Sequence, residues 1–308
     1  MSILALRQFS PELIAELGAL APVAVLPGLH DPSDADPELL RRARVAVTSA
    51  ATGFSVALMA ACPNLRLVHF IGAGFDDFDL AAARRYGLRV SSGRGANASS
   101  VADHAVALLL GVLRRLPDLD REVRDGRWNQ NRTVPQLTGK RVGIIGMGEI
   151  GTRIARRLSG FEVDIAHVSS SPKPHLPWRQ LANATALAAE SDHLIVACPL
   201  TPETRGLVGG RVLKALGPQG VLVNIGRGEV VDTDALIAAI ETGAIAGAGL
   251  DVVAGEPDVP EALRSLPGVL MTPHVAALSP EANAEMRARA LENVRAVLAG
   301  EEPTTPIF

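Results

Sequence analysis

The chain has 308 residues, 47% hydrophobic and 20% charged, and its 30 basic and 33 acidic side chains leave a net charge of -3. This suits a globular chain long enough for two domains and argues against nucleic acid or a membrane surface as partner. No apolar run reaches the roughly 18 residues of a membrane helix. The opening MSILALRQFSPEL does not read as a signal peptide, and two distant cysteines, Cys62 and Cys198, argue against a disulfide framework or a zinc site. A cytoplasmic location is the expectation.

Short apolar runs predict strands at Ile3–Leu6, Val23–Leu26, Val45–Thr48 and Leu67–Ile71. Helical patterns lie between them at Pro11–Leu20, Pro37–Arg42 and Gly53–Ala61. This rhythm predicts a parallel sheet with helices on its faces. A long helix is expected over Ser100–Leu116, where Val101, Ala105, Leu108, Leu109 and Val112 fall close to helical spacing. It reads equally as a packed interdomain helix and as a subunit contact. Pro117–Leu137 is polar and reads as a surface excursion. Strands resume at Arg141–Ile145, Asp164–Val168, Leu194–Cys198, Val221–Ile225, Ala248–Val252 and Val269–Met271. A closing helix, Pro280–Leu298, is expected to pack back on the first unit. The fold class is therefore α/β, with two Rossmann-like or flavodoxin-like parallel-sheet domains and a cleft between them. The expected boundaries are 1–99 plus 281–308 for one domain and 100–280 for the other.

The strand Arg141–Ile145 runs into Gly146-Met147-Gly148-Glu149-Ile150-Gly151 and then an amphipathic helix. A glycine turn in that context fits a dinucleotide pyrophosphate. Gly146 permits the tight turn, Gly148 the close approach of backbone to phosphate, and Gly151 the packing of helix on strand. The helix start brings unspent N–H groups to the anion. The next strand ends in Val168-Ser169-Ser170-Ser171-Pro172-Lys173, without the carboxylate that usually accepts from the ribose 2′-hydroxyl of NAD. Hydroxyls and an ammonium suit a 2′-phosphate instead, so NADP(H) is favoured and NAD(H) remains an alternative.

Three further segments close predicted strands: Asn224-Ile225-Gly226-Arg227-Gly228, Gly249-Leu250-Asp251 through Gly255-Glu256-Pro257, and Thr272-Pro273-His274. In an open α/β sheet ligands sit beyond the carboxyl ends of strands, so Arg227, Glu256 and His274 can converge. Together with Thr138-Gly139-Lys140 through Gly151 and Pro199-Leu200-Thr201-Pro202-Glu203-Thr204-Arg205, these segments resemble the D-isomer-specific 2-hydroxyacid dehydrogenase family in order and spacing. Gly72-Ala73-Gly74-Phe75-Asp76 resembles its substrate-carboxylate loop. Val101-Ala102-Asp103-His104 resembles the start of its interdomain helix, although Glu is usual where Asp103 stands.

The resemblance implies roles. Arg227 would hold the substrate carboxylate and polarise the keto oxygen, a task for a permanently charged fork. His274 would exchange a proton with that oxygen, and Glu256 would fix the imidazole tautomer. Main-chain N–H groups at Ala73 and Gly74 would hold the carboxylate, and Asp251 would meet the nicotinamide amide. Val101, Cys198, Pro199, Thr204 and Ile225 would also contact cofactor, as would Arg227 and His274. A homodimer follows from the resemblance alone. His69 and His193 are expected to pack at strands, His30, His167 and His175 to be exposed or in loops, and His104 to be structural.

Glu256 stands where formate dehydrogenases carry Gln, and little chain follows Leu298, which leaves no room for the regulatory domain of phosphoglycerate dehydrogenases. The expected activity is reduction of a small 2-keto acid such as glyoxylate or hydroxypyruvate to its D-2-hydroxy acid. Larger acids such as phenylpyruvate are also open. The alternative is an NAD(P)(H)-sensing interaction protein on the same fold.

Overall fold

A computed structural model describes residues 2–75 and 78–308. Asp76, the end of the expected carboxylate loop, lies outside the described residues. The chain forms two compact units, residues 1–97 with 278–308, and residues 98–277.

The first unit opens with strand β1 (Ser2–Ala5), helix α1 (Pro11–Gly18), β2 (Val23–Val25), α2 (Pro37–Arg42), β3 (Ala43–Thr48), α3 (Val56–Ala61), β4 (Leu67–Phe70), α4 (Leu80–Arg85) and β5 (Arg89–Ser92). The second contains α5 (Ala98–Leu113), α6 (Leu116–Arg124), β6 (Arg141–Ile145), α7 (Glu149–Leu158), β7 (Asp164–Val168), β8 (Arg179–Gln180), α8 (Ala184–Ala189), β9 (His193–Val196), α9 (Gly210–Leu216), β10 (Val221–Asn224), α10 (Thr233–Glu241), β11 (Gly247–Leu250), α11 (Glu261–Ser265) and β12 (Val269–Met271). The last helix, α12 (Pro280–Leu298), belongs to the first unit. No helix among the described residues is long and apolar enough to cross a membrane.

In the first unit, five parallel strands run in the order β2-β1-β3-β4-β5, the flavodoxin-like order. Strand alternation sends Leu4, Ala46, Val68 and Val90 into a core with Leu58 and Met59. It sends Ile3, Val45 and Leu67 to the other face, against Leu13, Leu17, Val294 and Val297 of α1 and α12. The tail after α12 lies along β5, where Ile307 N–H donates to Val90 at 2.8 Å and the Asn293 amide donates to Thr305 Oγ1 at 2.9 Å. Three helices open on one local device, a capping Ser or Asp followed by Pro and Glu: Ser10, Asp36 and Ser279 each accept from a main-chain N–H of the first turn. Such caps stabilise a helix by about 1 kcal/mol each.

In the second unit, seven parallel strands run β12-β11-β10-β9-β6-β7-β8, so the order reverses between β6 and β9. Ligands bind beyond the strand ends at such a reversal. Helix α5 is a core helix, with Ala102, Ala105 and Leu109 fully covered within the chain. Gly249 of β11 admits it, since a Cβ there would lie 2.9 Å from the Leu108 Cβ. Helix α5 thus packs within the second unit.

The polar stretch beginning near Pro117 is a surface excursion as expected: its helix, α6, buries none of its side chains and is supported by local ion pairs, Arg115 with Asp118 at 3.2 Å and Arg124 with Asp120 at 2.7 Å. One expectation needs correction. His167 is fully buried rather than exposed, because the two-residue β8, unforeseen from sequence, pairs alongside it.

His69 and His193 are buried in strands as expected. Burial pushes His69 down to about 3 and His193 down to about 4. Hydrogen bonds from Arg141 hold the Asp192 carboxyl down at about 2. The unfolded chain takes up protons on its histidines as pH falls below about 6.5 while the folded chain refuses them. Stability from buried neutral histidines is thus complete above that pH and is lost toward the folded values. The Asp192 contribution is intact above its ordinary range and is lost only between there and pH 2. Urea unfolding should show stability falling from pH 6.5 to 4, with His193 accounting for about 3 kcal/mol. His193→Leu should flatten that slope; an unaltered slope would refute the assignment.

Candidate active site

The carboxyl ends of β6, β9, β10, β11 and β12 carry the expected site residues of the second unit. At the end of β6, Gly146 has φ +100°, and a Cβ there would lie 2.7 Å from the main chain of Ala197 and Cys198. Only glycine satisfies both demands. A Cβ on Gly151 would collide with the Gly146 carbonyl oxygen, so α7 sits close under the turn. Gly148 differs: nothing lies within 4 Å of its missing Cβ. It is the N-cap of α7 and offers no side-chain cap, so first-turn N–H groups stay unspent. Open space above such donors fits an anion, and these residues fit a dinucleotide pyrophosphate. In the first turn of α7, Glu149 pairs with Arg153 at 3.0 Å and half-buried Ile150 packs on the core.

At the tip of β7, Ser169 Oγ donates to the Ser171 carbonyl at 2.7 Å. Gln180 of β8 braces the same turn, donating to the Ser169 carbonyl at 3.3 Å and accepting from Lys173 N–H at 3.2 Å. Ser170 is exposed and Lys173 half-buried. Beyond β9, Cys198 is buried, and burial pushes its thiol up to about 11, so it is no thiolate nucleophile. Thr204 Oγ1 donates to the Pro199 carbonyl at 2.8 Å, closing that loop on itself. Val101 and Ile225 are buried.

After β10, the Asn224 side chain accepts from Gly226 N–H at 3.0 Å and donates to the Arg227 carbonyl at 2.9 Å. This buried amide shapes the turn that presents Arg227, whose guanidinium also donates to the Gly226 carbonyl at 2.8 Å. A Cβ on Gly226 would lie 2.6 Å from the Cys198 carbonyl oxygen, and one on Gly228 would strike the main chain of Val253 and Ala254. Glycine thus lets three strand-end loops interlock, and the Arg227 turn is fixed against the segment leading to Glu256.

Glu256 faces His274 Nδ1 through Oε1, while Oε2 accepts from Val253 N–H at 3.2 Å. With a carboxylate at Nδ1, that nitrogen carries the proton of the pair and Nε2 is left for chemistry. The His274 side chain is 48% exposed, open to a substrate. Its backbone is left-handed, at φ +54°, which costs a non-glycine residue about 1 kcal/mol.

Asp251 is buried, and its carboxylate accepts from Thr272 Oγ1 at 2.6 Å, Val275 N–H at 2.9 Å and Ala276 N–H at 3.0 Å. It holds the loop around His274. Asn224 and Thr272, for which the sequence suggests no role in the chemistry, act as braces, and the signal they carry is a small polar residue at a strand end. In the first unit, Ala73 and Gly74 lie in the bend after β4, where Gly93 N–H donates to the Gly72 carbonyl at 3.0 Å.

A pyrophosphate-shaped turn and an imidazole–carboxylate pair on one sheet edge define a nicotinamide-dependent dehydrogenase of the doubly wound class. Residues 106–276 match the model of the D-isomer specific 2-hydroxyacid dehydrogenase NAD binding domain. Glyoxylate/hydroxypyruvate reductase A of Arabidopsis thaliana is 40% identical over 266 residues, 86% of this chain and 85% of its own. Hydroxyphenylpyruvate reductase of Plectranthus scutellarioides is also 40% identical, over the same shares. The crystal structure of an NADPH-dependent glyoxylate/hydroxypyruvate reductase from Sinorhizobium meliloti, in complex with NADP and malonate, superposes with a TM-score of 0.90 at 36% identity, covering 99% of this chain and 96% of that one. The chain belongs to the D-isomer-specific 2-hydroxyacid dehydrogenase family.

Proposed function

We propose that this enzyme reduces a small 2-keto acid of the glyoxylate or hydroxypyruvate kind to the D-2-hydroxy acid, with NADPH preferred over NADH. The observation that carries the reading is the His274–Glu256 pair, set on the same sheet edge as the glycine turn. The Sinorhizobium reductase is NADPH-dependent, which supports the cofactor preference.

A bound reduced nicotinamide supplies the hydride for the keto carbon. His274 Nε2 gives the proton that the keto oxygen needs as negative charge builds on it. Glu256, at the opposite ring nitrogen, keeps the imidazole oriented through that change. Arg227 neutralises the substrate carboxylate and polarises the keto oxygen. Gly146, Gly148 and Gly151 hold the pyrophosphate, and Ser169, Ser170, Ser171 and Lys173 the 2′-phosphate. A homodimer in a reducing compartment completes the reading. Leu116, Val123 and Trp128 are exposed apolar side chains of the α6 region, and Cys62 and Cys198 are free buried thiols.

The test is oxidation of NADPH and NADH with glyoxylate, hydroxypyruvate, pyruvate and phenylpyruvate. NADPH with glyoxylate or hydroxypyruvate should be the fastest pair. Folded protein that binds cofactor yet turns over none of these acids would overturn the reading. In Ser169→Asp a carboxylate meets the 2′-phosphate, so the NADPH/NADH ratio of kcat/KM should fall about tenfold or more. An unchanged ratio would remove the β7 tip from cofactor choice.

A further inference from the structure

Residues 272–276, which carry His274, are fastened by one face of α5. Ser100 donates from Oγ to the Ala276 carbonyl at 2.7 Å. One turn further along the helix, His104 Nε2 lies 2.8 Å from Thr272 Oγ1. Positions i and i+4 of one helix thus grip both ends of the loop.

Chemistry fixes the direction of this chain of bonds. Thr272 has one hydroxyl proton and donates it to Asp251 Oδ1 at 2.6 Å. Its oxygen can then only accept from the ring, which places a proton on His104 Nε2. Asp251 Oδ1 also lies 3.5 Å from that nitrogen. Asp251 passes the constraint on through Val275 and Ala276 N–H, the two residues that follow His274. The His274 N–H is itself turned onto the main-chain oxygens of Asp251, at 2.9 Å, and Thr272, at 3.0 Å. A left-handed backbone persists at a residue other than glycine only where its surroundings over-determine it, and these bonds do so.

We infer that Ser100, His104 and Thr272 are positioning residues for the reaction: acting through Asp251 and the loop main chain, they hold the turn that aims the His274 ring at substrate with Glu256 behind it. The inference rests on the keto-acid reduction proposed above. None of the three needs to touch substrate, and the effect belongs in turnover rather than in binding.

Thr272→Val keeps the shape and removes the hydroxyl, which leaves His104 without its acceptor and Asp251 one donor short. With glyoxylate and NADPH, kcat should fall about 10- to 100-fold, the loss typical of a misplaced reacting group. KM and the NADPH Kd should stay within about threefold of wild type. Thr272→Ser, which keeps the hydroxyl, should restore most of kcat. His104→Gln, which keeps a donor, should retain more activity than His104→Leu. Amide exchange at Val275 and Ala276 should quicken about tenfold or more in Thr272→Val.

A folded Thr272→Val enzyme with undiminished kcat, or one that loses kcat with unaltered exchange at Val275 and Ala276, would overturn the positioning role alone. Wild-type protein that turns over no keto acid would instead overturn the reaction, and the positioning role with it.

Discussion

Alanine in place of His274 should cut kcat by roughly 10³-fold, the usual size of a general acid's contribution, while the NADPH Kd stays near wild type. In the proposed reduction the imidazole is the group that meets substrate: Glu256 occupies Nδ1, which leaves Nε2 to move a proton. Nothing in the glycine turn or the β7 tip depends on that ring, so cofactor binding should survive. Stopped-flow reduction of glyoxylate, with cofactor affinity from quenching of protein fluorescence, separates the two. Near-normal turnover by the variant would remove His274 from the chemistry. Equal loss of turnover and cofactor affinity would make it a structural residue.

Replacement of Arg227 by lysine should cost roughly 10²–10³ in kcat/KM even though the charge is kept, on the scale seen when one donor to a developing oxyanion is lost. A guanidinium offers donors in a flat fork that meets a carboxylate and a neighbouring oxygen together, whereas an ammonium is a point charge. The turn presenting Arg227 is tightly specified, by the Asn224 amide on one side and by Gly226 and Gly228 packed against neighbouring loops on the other. A shorter, differently aimed side chain cannot be accommodated by shifting that backbone. Steady-state kinetics over a range of keto acids should show KM raised and kcat lowered together. A lysine variant with wild-type kcat/KM would restrict Arg227 to maintaining the fold.

Much of the fold was legible because its signals are local. Apolar runs separated by helix-period segments mark buried parallel strands, and Ser-Pro-Glu or Asp-Pro-Glu marks a helix start wherever it falls. The glycine turn was legible for the same reason, since strand, turn and helix are contiguous. Features that depend on distant partners were not. His167 reads as exposed until β8 covers its strand, and α6 is not foreseen because ion pairs, not an apolar stripe, sustain it. At the site, residue types at strand ends marked Glu256 and His274, which the structure places side by side. Their braces escaped, because Ser100 and Ala276 stand 176 positions apart and meet only when α5 packs under the sheet edge. The three donors to the Asp251 carboxylate escaped in the same way, because sequence spacing gives no count of donors to a side chain.

The first unit is finished by the last residues of the chain: Val294 and Val297 close one face of its sheet, and Ile307 pairs along β5. The second unit is one unbroken stretch, residues 98–277. On the ribosome, synthesis therefore completes the inserted unit first, while its host still lacks a covering helix and an edge partner. Domains fold as units when their residues are all available. The cofactor-binding half is thus fully synthesised before the half that was begun earlier.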